Sequence, residues 1–333
     1  MEAHFAEGTP QATTTDPVLV AEPAASTPVW KTIFLGPGGL RAGWRLLIFI
    51  GILWAIFNGI SQGLRLLHLS PARGAATGSE LIPSRMIVFE AVSFLVFCVA
   101  ALIMARIEGR KFGQYGLPWI SGLGREVLVG AIWGFLTISG TLLAIFAFHG
   151  FRVTGLAIHG STIVSSVLLW SVTFLLVGLF EEFSFRGYPQ FTLTTGIGFW
   201  PTAILFSSLF GFGHRNNHGE NIFGVLSVVL FGLLFCLILQ RRGNLWWAVG
   251  FHAGFDWGQT FFYGVPDSGL LPYHNLLNSS FSGPSWLTGG SVGPEACVFM
   301  PFALLIVAVL FARRYPETRY RTSAVPPLPA VPA

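Results

Sequence analysis

The chain has 333 residues, 53% of them hydrophobic and only 10% charged, against about 25% charged in ordinary soluble domains. A mean hydropathy of +0.65 and 32 Phe exclude a soluble enzyme and point to a polytopic helical membrane protein. The formal net charge of +4 is spread between apolar runs, so the basic residues leave no nucleic-acid footprint.

Residues 1–30 are rich in Ala, Thr, Pro and Glu without periodicity, and read as a disordered N-terminal tail. They lack the basic and apolar regions of a secretory signal. Residues 31–315 read as one transmembrane helical domain. Residues 316–333, with Pro326, Pro327 and Pro329, read as a disordered C-terminal tail. Cys98, Cys236 and Cys297 lie in or beside apolar runs with no C-x-x-C spacing, so they read as packing residues.

The predicted fold class is all-α, a polytopic bundle of about eight spans. Each approaches the ~20 residues that cross a bilayer. In chain order they are Trp44–Leu64, Met86–Ile107, Val127–Phe148, Ile163–Phe185, Phe199–Gly213, Ile222–Leu239, Leu245–Tyr263 and Ala296–Phe311. An even number puts both termini on one side. Fourteen of the 19 Lys and Arg then fall on that side, and the positive-inside rule makes it cytoplasmic. The expected location is a multi-pass protein of a bacterial plasma membrane. The longest connection, Gly264–Glu295, lies outside and is either functional or partly disordered; it includes an N-x-S sequence at Asn278.

Charge within a span costs several kcal/mol, about 2.5–3.5 per residue on insertion scales, and marks function by default. The fourth span ends in Glu181-Glu182-Phe183-Ser184-Phe185-Arg186-Gly187. Glu182 and Arg186 are i, i+4 with the acid first, the favourable order for a pair on one helix face. Glu181 is turned about 100° away, towards a polar cavity, because lipid would not tolerate it. The fifth span closes with Phe210-x-x-x-His214 and the seventh holds His252-x-x-x-Asp256. At 1.5 Å per residue, Glu181 and His252 lie about 13 and 12 Å below the cytoplasmic face and His214 about 20 Å. These depths allow the groups to converge in the cytoplasmic half. Glu90, one turn inside the second span, reads as an interfacial residue snorkelling outward. His218, Glu220 and His274 read as solvated loop residues.

Glu with two His supports two chemistries. One is a hydrolytic zinc site, with Glu181, His214 and His252 as ligands and an open position for water. The other needs no cofactor: Glu181 is general base, His214 helps hold the attacking water, and His252 with Asp256 steadies the oxyanion. No H-E-x-x-H motif backs the zinc set. A non-hydrolytic reading stands beside these: a proton- or ion-coupled carrier, since the same residue types build proton relays.

Glu181, Glu182 and Arg186 followed by Gly187-Tyr188, then Phe210 and His214, then His252 and Asp256, resemble the three motifs of the CAAX-protease and bacteriocin-processing family (CPBP, or Abi). The resemblance runs from about Val127 to Phe311, with the motif core at 163–260. The run Thr288–Glu295 is also similar to what bacterial members carry before the last span. The resemblance implies an intramembrane endopeptidase, metallo- or glutamate-dependent, acting on membrane-associated or lipidated peptides, with a non-catalytic bacteriocin-immunity or scaffold protein as the alternative in which the motifs persist as structure. It implies that Glu181 and His214 activate water, that His252 and the residue four further on form the oxyanion site, and that Glu182 and Arg186 support them. Eukaryotic prenyl proteases of the family have Asn where this chain has Asp256. An ionised Asp cannot donate to an oxyanion, so Asp256 is either protonated or acts by orienting His252.

Overall fold

The computed structural model describes residues 29–36, 39–68 and 80–321. The expected tails therefore lie outside the described residues over 1–28 and 322–333. Helices follow one another as α1 (Val29–Phe34), α2 (Ala42–Leu66), α3 (Pro83–Ile107), α4 (Leu123–Ala147), α5 (Ser161–Arg186), α6 (Tyr188–Ile197), α7 (Phe199–His214), α8 (Ile222–Arg242), α9 (Trp246–Asp256), α10 (Ser285–Thr288) and α11 (Met300–Arg314). A π-helical stretch, Trp257–Phe262, prolongs α9.

All eight apolar stretches coincide with helix, the last beginning at Met300. Among the described residues, α2, α3, α4, α5 with α6, and α8 are each long and apolar enough to cross a membrane. The chain is an integral membrane protein with an all-α polytopic bundle. Rows such as Leu128, Ile132 and Leu136 on α4 and Val164, Leu168 and Val172 on α5 are exposed, as a lipid-facing surface requires.

Helices with no water to expel between them associate where small residues let backbones meet. In α4, Gly130 and Gly134 are i, i+4; in α9, so are Gly250 and Gly254. A Cβ at Gly130 or Gly134 would run into the carbonyls of Trp247 and Phe251, and one at Gly250 or Gly254 into those of Val127 and Ala131. This double seam fixes α9 against α4. On its other side, Gly178 of α5 would meet the Val249 carbonyl at 2.8 Å if it carried a Cβ. α9 is thus wedged between α4 and α5, which sets His252 facing the end of α5.

Both described chain ends lie at one end of the bundle. Arg45, at the start of α2, reaches Glu108 at 3.2 Å and Thr195 of α6 at 2.5 Å. The hydroxyls of Tyr115 and Tyr188 donate to the same Glu108 carboxylate at 2.9 and 2.6 Å. The amides of Arg319 and Tyr320 donate to the Gln240 carbonyl, each at 3.0 Å, and the Tyr320 ring packs on Phe191 and Phe199. At the opposite end the connection Gly264–Glu295 is held down by strand pairing. Leu277–Phe281 runs antiparallel to Phe151–Leu156, and Leu271–Pro272 runs parallel to Glu80–Leu81.

Candidate active site

α5 delivers the first motif in its last turns. Glu182 and Arg186 are both fully buried, with Arg186 Nη1 3.4 Å from Glu182 Oε1, the pair that the i, i+4 spacing predicts. The guanidinium sits among the rings of Phe210, Phe235 and Phe185, with centroids 4.4, 5.6 and 5.7 Å from Cζ. Such faces attract a cation by their quadrupole. Space for it comes from Gly232 of α8, where a Cβ would press on Nη2.

α9 delivers the third motif opposite. His252 Nδ1 lies 2.9 Å from Glu182 Oε1. The carboxylate accepts, so Nδ1 carries a proton. The other ring nitrogen, Nε2, lies 3.4 Å from Asp256 Oδ2 and 3.6 Å from Glu181 Oε2. The imidazole stacks on Phe235, centroids 5.3 Å apart. Glu182 therefore does two jobs, and the spacing revealed only the one toward Arg186.

The end of α7 supplies His214. Its Nδ1 lies 2.9 Å from the Phe210 carbonyl, which can only accept. The proton therefore sits on Nδ1, which leaves Nε2 with a lone pair. Glu181, His214, His252 and Asp256 line one cavity of about 390 Å³. All four sequence-derived site residues thus share it, while Glu182 and Arg186 lie buried behind the wall.

The cavity is not where the depth count put it. Its wall includes Leu81, Asn217, Asp267, Ser268, Leu270 and Glu295, all from the end of the bundle opposite the chain termini. The predicted convergence in the half nearer the termini is corrected accordingly. The cause is α6: after Gly187 the chain winds on to Ile197 before it turns back. Sixteen residues, about 24 Å at 1.5 Å each, separate Glu181 from that reversal.

Three further acids face the cavity. Glu90 of α3 lines it and is 8% exposed; its Oε2 has no partner among the described residues. Snorkelling does not describe it, because its side chain turns into the bundle. Glu295 and Asp267 come from the long connection. Gln259 donates to Glu295 Oε1 at 2.6 Å, Ser268 Oγ to Glu295 Oε2 at 2.9 Å, and Thr260 to Asp267 Oδ2 at 2.7 Å. Burial first, and the charge of Asp256 second, push Glu295 up to about 7. Burial and the neighbouring Glu295 hold Asp267 well above the usual carboxylate range.

A zinc ion held by Glu181, His214 and His252 does not fit this arrangement. His252 Nδ1 is committed to Glu182 and Nε2 faces two carboxylates. Among the described residues no three His, Cys, Asp or Glu side chains gather at ligand distance.

A comparison of the chain with curated proteins and with solved structures yields no match. A scan against protein families does: the model of the type II CAAX prenyl endopeptidases, Rce1-like, matches residues 163–258. That stretch holds α5 to α9 and all three motifs. By this match, the segment from 163 to 258 is similar to the endopeptidase domain of the Rce1-like CAAX type, consistent with the CPBP family of intramembrane proteases.

Proposed function

We propose that the protein hydrolyses peptide bonds of membrane-associated peptides with water activated by Glu181. The observation that carries this reading is the meeting of Glu181, His214, His252 and Asp256, from three separate helices, on one cavity. Four costly groups do not gather inside a membrane protein for packing alone.

In this reading, Glu181 takes a proton from water as the oxygen attacks the scissile carbonyl. His214 orients that water: its Nε2 lone pair accepts one water proton while Nδ1–H stays on the Phe210 carbonyl. His252, protonated on both ring nitrogens, gives its Nδ1–H to Glu182 and donates from Nε2–H to the oxyanion. Asp256, 3.4 Å from Nε2, orients the ring and balances its charge, so it need not donate to the substrate. Glu181 then returns its proton to the leaving amine. Preorganised donors and a positioned base of this kind each contribute about 10²–10⁴ in rate.

The basic residues favour both chain ends on the cytoplasmic side of a bacterial plasma membrane. The cavity then reaches Glu181 from the outer half of the bilayer, where exported and membrane-anchored peptides lie. The test is the Glu181→Gln variant reconstituted in vesicles with a peptide library and read by mass spectrometry of the products. The expected result is folded protein that releases no fragment. Wild-type rates in the variant overturn the mechanism.

A further inference from the structure

The second cavity of the molecule lies at the end that carries the chain termini and is far from the acids described above. It holds about 820 Å³ and is lined by Arg125 and Glu126 of α4, Arg242 of α8, and Arg313 and Arg314 of α11. Four arginines face one carboxylate. Arg242 is occupied by that carboxylate, its Nε donating to Glu126 Oε2 at 3.0 Å, and it also lies over the Tyr315 ring. Arg125 and Arg313 have no carboxylate within ion-pair distance among the described residues.

The cavity continues into an apolar one. Trp133 and Leu310 line both. Beyond them a groove of about 500 Å³ runs between α4 and α11, past Gly140, Ala144, Phe299 and Ala303. From Trp133 to Ala144 it extends about 16 Å along α4 at 1.5 Å per residue. A cationic chamber at the membrane surface that opens into a greasy channel along the bilayer normal matches one class of molecule in shape and charge.

We propose that this chamber and groove bind an anionic phospholipid. The phosphate accepts from Arg125, Arg313 and Arg314, and one acyl chain lies in the groove. Planar guanidinium groups suit phosphate oxygens, and basic pockets between spans on the cytoplasmic side hold acidic headgroups. The lipid would clamp α11 to α4, and through the Gly130/Gly134 seam would bear on α9, the helix that carries His252.

The test uses full-length protein in non-ionic detergent, titrated with phosphatidylglycerol or with phosphatidylcholine of identical chains and read by native mass spectrometry. A third arm titrates inorganic phosphate against bound phosphatidylglycerol. Wild type is expected to retain phosphatidylglycerol in preference to phosphatidylcholine, with phosphate a poor competitor. The Arg125→Gln/Arg313→Gln double variant, altered at exposed positions only, should bind phosphatidylglycerol about thirtyfold more weakly. Gly140→Phe, which fills the groove, should weaken it as well. Equal binding of the two lipids by wild type overturns the proposal without recourse to any variant. So does unchanged affinity in the double variant, or displacement by phosphate at equal concentration, which would make the chamber a site for the free ion.

Discussion

His252 of α9 rests its Nδ1 on Glu182 of α5 at 2.9 Å, while the same carboxylate oxygen faces Arg186 at 3.4 Å. Glu182 is the joint between the first and third motifs: it neutralises a buried cation and fixes the orientation of the imidazole through its Nδ1–H. Removing one member of a buried charge network strands the others, at a cost of about 3–5 kcal/mol.

Glu182→Ala and Arg186→Ala should each lower unfolding free energy by about that amount. The double variant should lose less than the sum, because the partner left unpaired in each single variant is gone. Unfolding in detergent followed by circular dichroism measures the cycle. Additive losses would separate Glu182 from Arg186 energetically.

Asp256 separates two roles. If it positions His252, Asp256→Asn keeps a polar partner for the ring and should retain much more activity than Asp256→Ala, which should fall by about 10²–10³. Both should leave KM for a peptide nearly unchanged, since the loss is confined to the transition state. The readout is kcat and KM for the same peptide in both variants.

The seam between α4 and α9 leaves no room for a methyl group. Gly134→Ala and Gly254→Ala should each destabilise by about 1–3 kcal/mol, the usual cost of overpacking. Gly124→Ala, in the same helix with nothing near its would-be Cβ, should be neutral or slightly stabilising, because Ala is the better helix former. Thermal unfolding midpoints compare the three.

Glu295 gives a pH dependence of known sign. Its folded pKa of about 7 lies above the ordinary 4.5, so the folded state holds the proton more tightly than the unfolded one. Its contribution to stability is full below pH 4.5 and is lost as pH rises toward about 7, with a slope of at most ~1.4 kcal/mol per pH unit. Asp267, raised as well, acts in the same direction. Glu295→Gln, which keeps an acceptor for Gln259, should flatten this loss. Unfolding midpoints between pH 4.5 and 7 for both proteins check it.

Hydropathy alone located the helices, because the lipid-facing surface forces each span to be apolar over its length. The i, i+4 pairs in α5 and α9 were equally readable, since helix geometry converts spacing directly into direction. The depth of the site was not. Pro is well tolerated at the first positions of a helix, and α6 carries the chain on past Pro189 to Ile197, farther than the depth count allows. Glu90 was misread for a related reason: position along a helix says how deep a side chain lies, and only tertiary packing says which way it faces. Asp267 and Glu295 belong to a connection whose path is set by strand pairing with Glu80–Leu81 and Phe151–Leu156, contacts between residues more than a hundred positions apart. One signal was present and unused: glycines four apart at 130 and 134 and again at 250 and 254 mark a close helix crossing in a membrane.

The widened winding of Trp257–Phe262 adds a degree of freedom of its own. A π segment holds one residue more than ordinary helix would need. Deleting a single position there would tighten the coil to ordinary winding and shift Gln259 and Thr260, which lie within it, relative to Glu295 and Asp267. Glu181, His214, His252 and Asp256 lie upstream and would stay in place. Chain length at this one turn therefore sets where the partners of the acid pair stand, while the quartet is placed by the helices upstream.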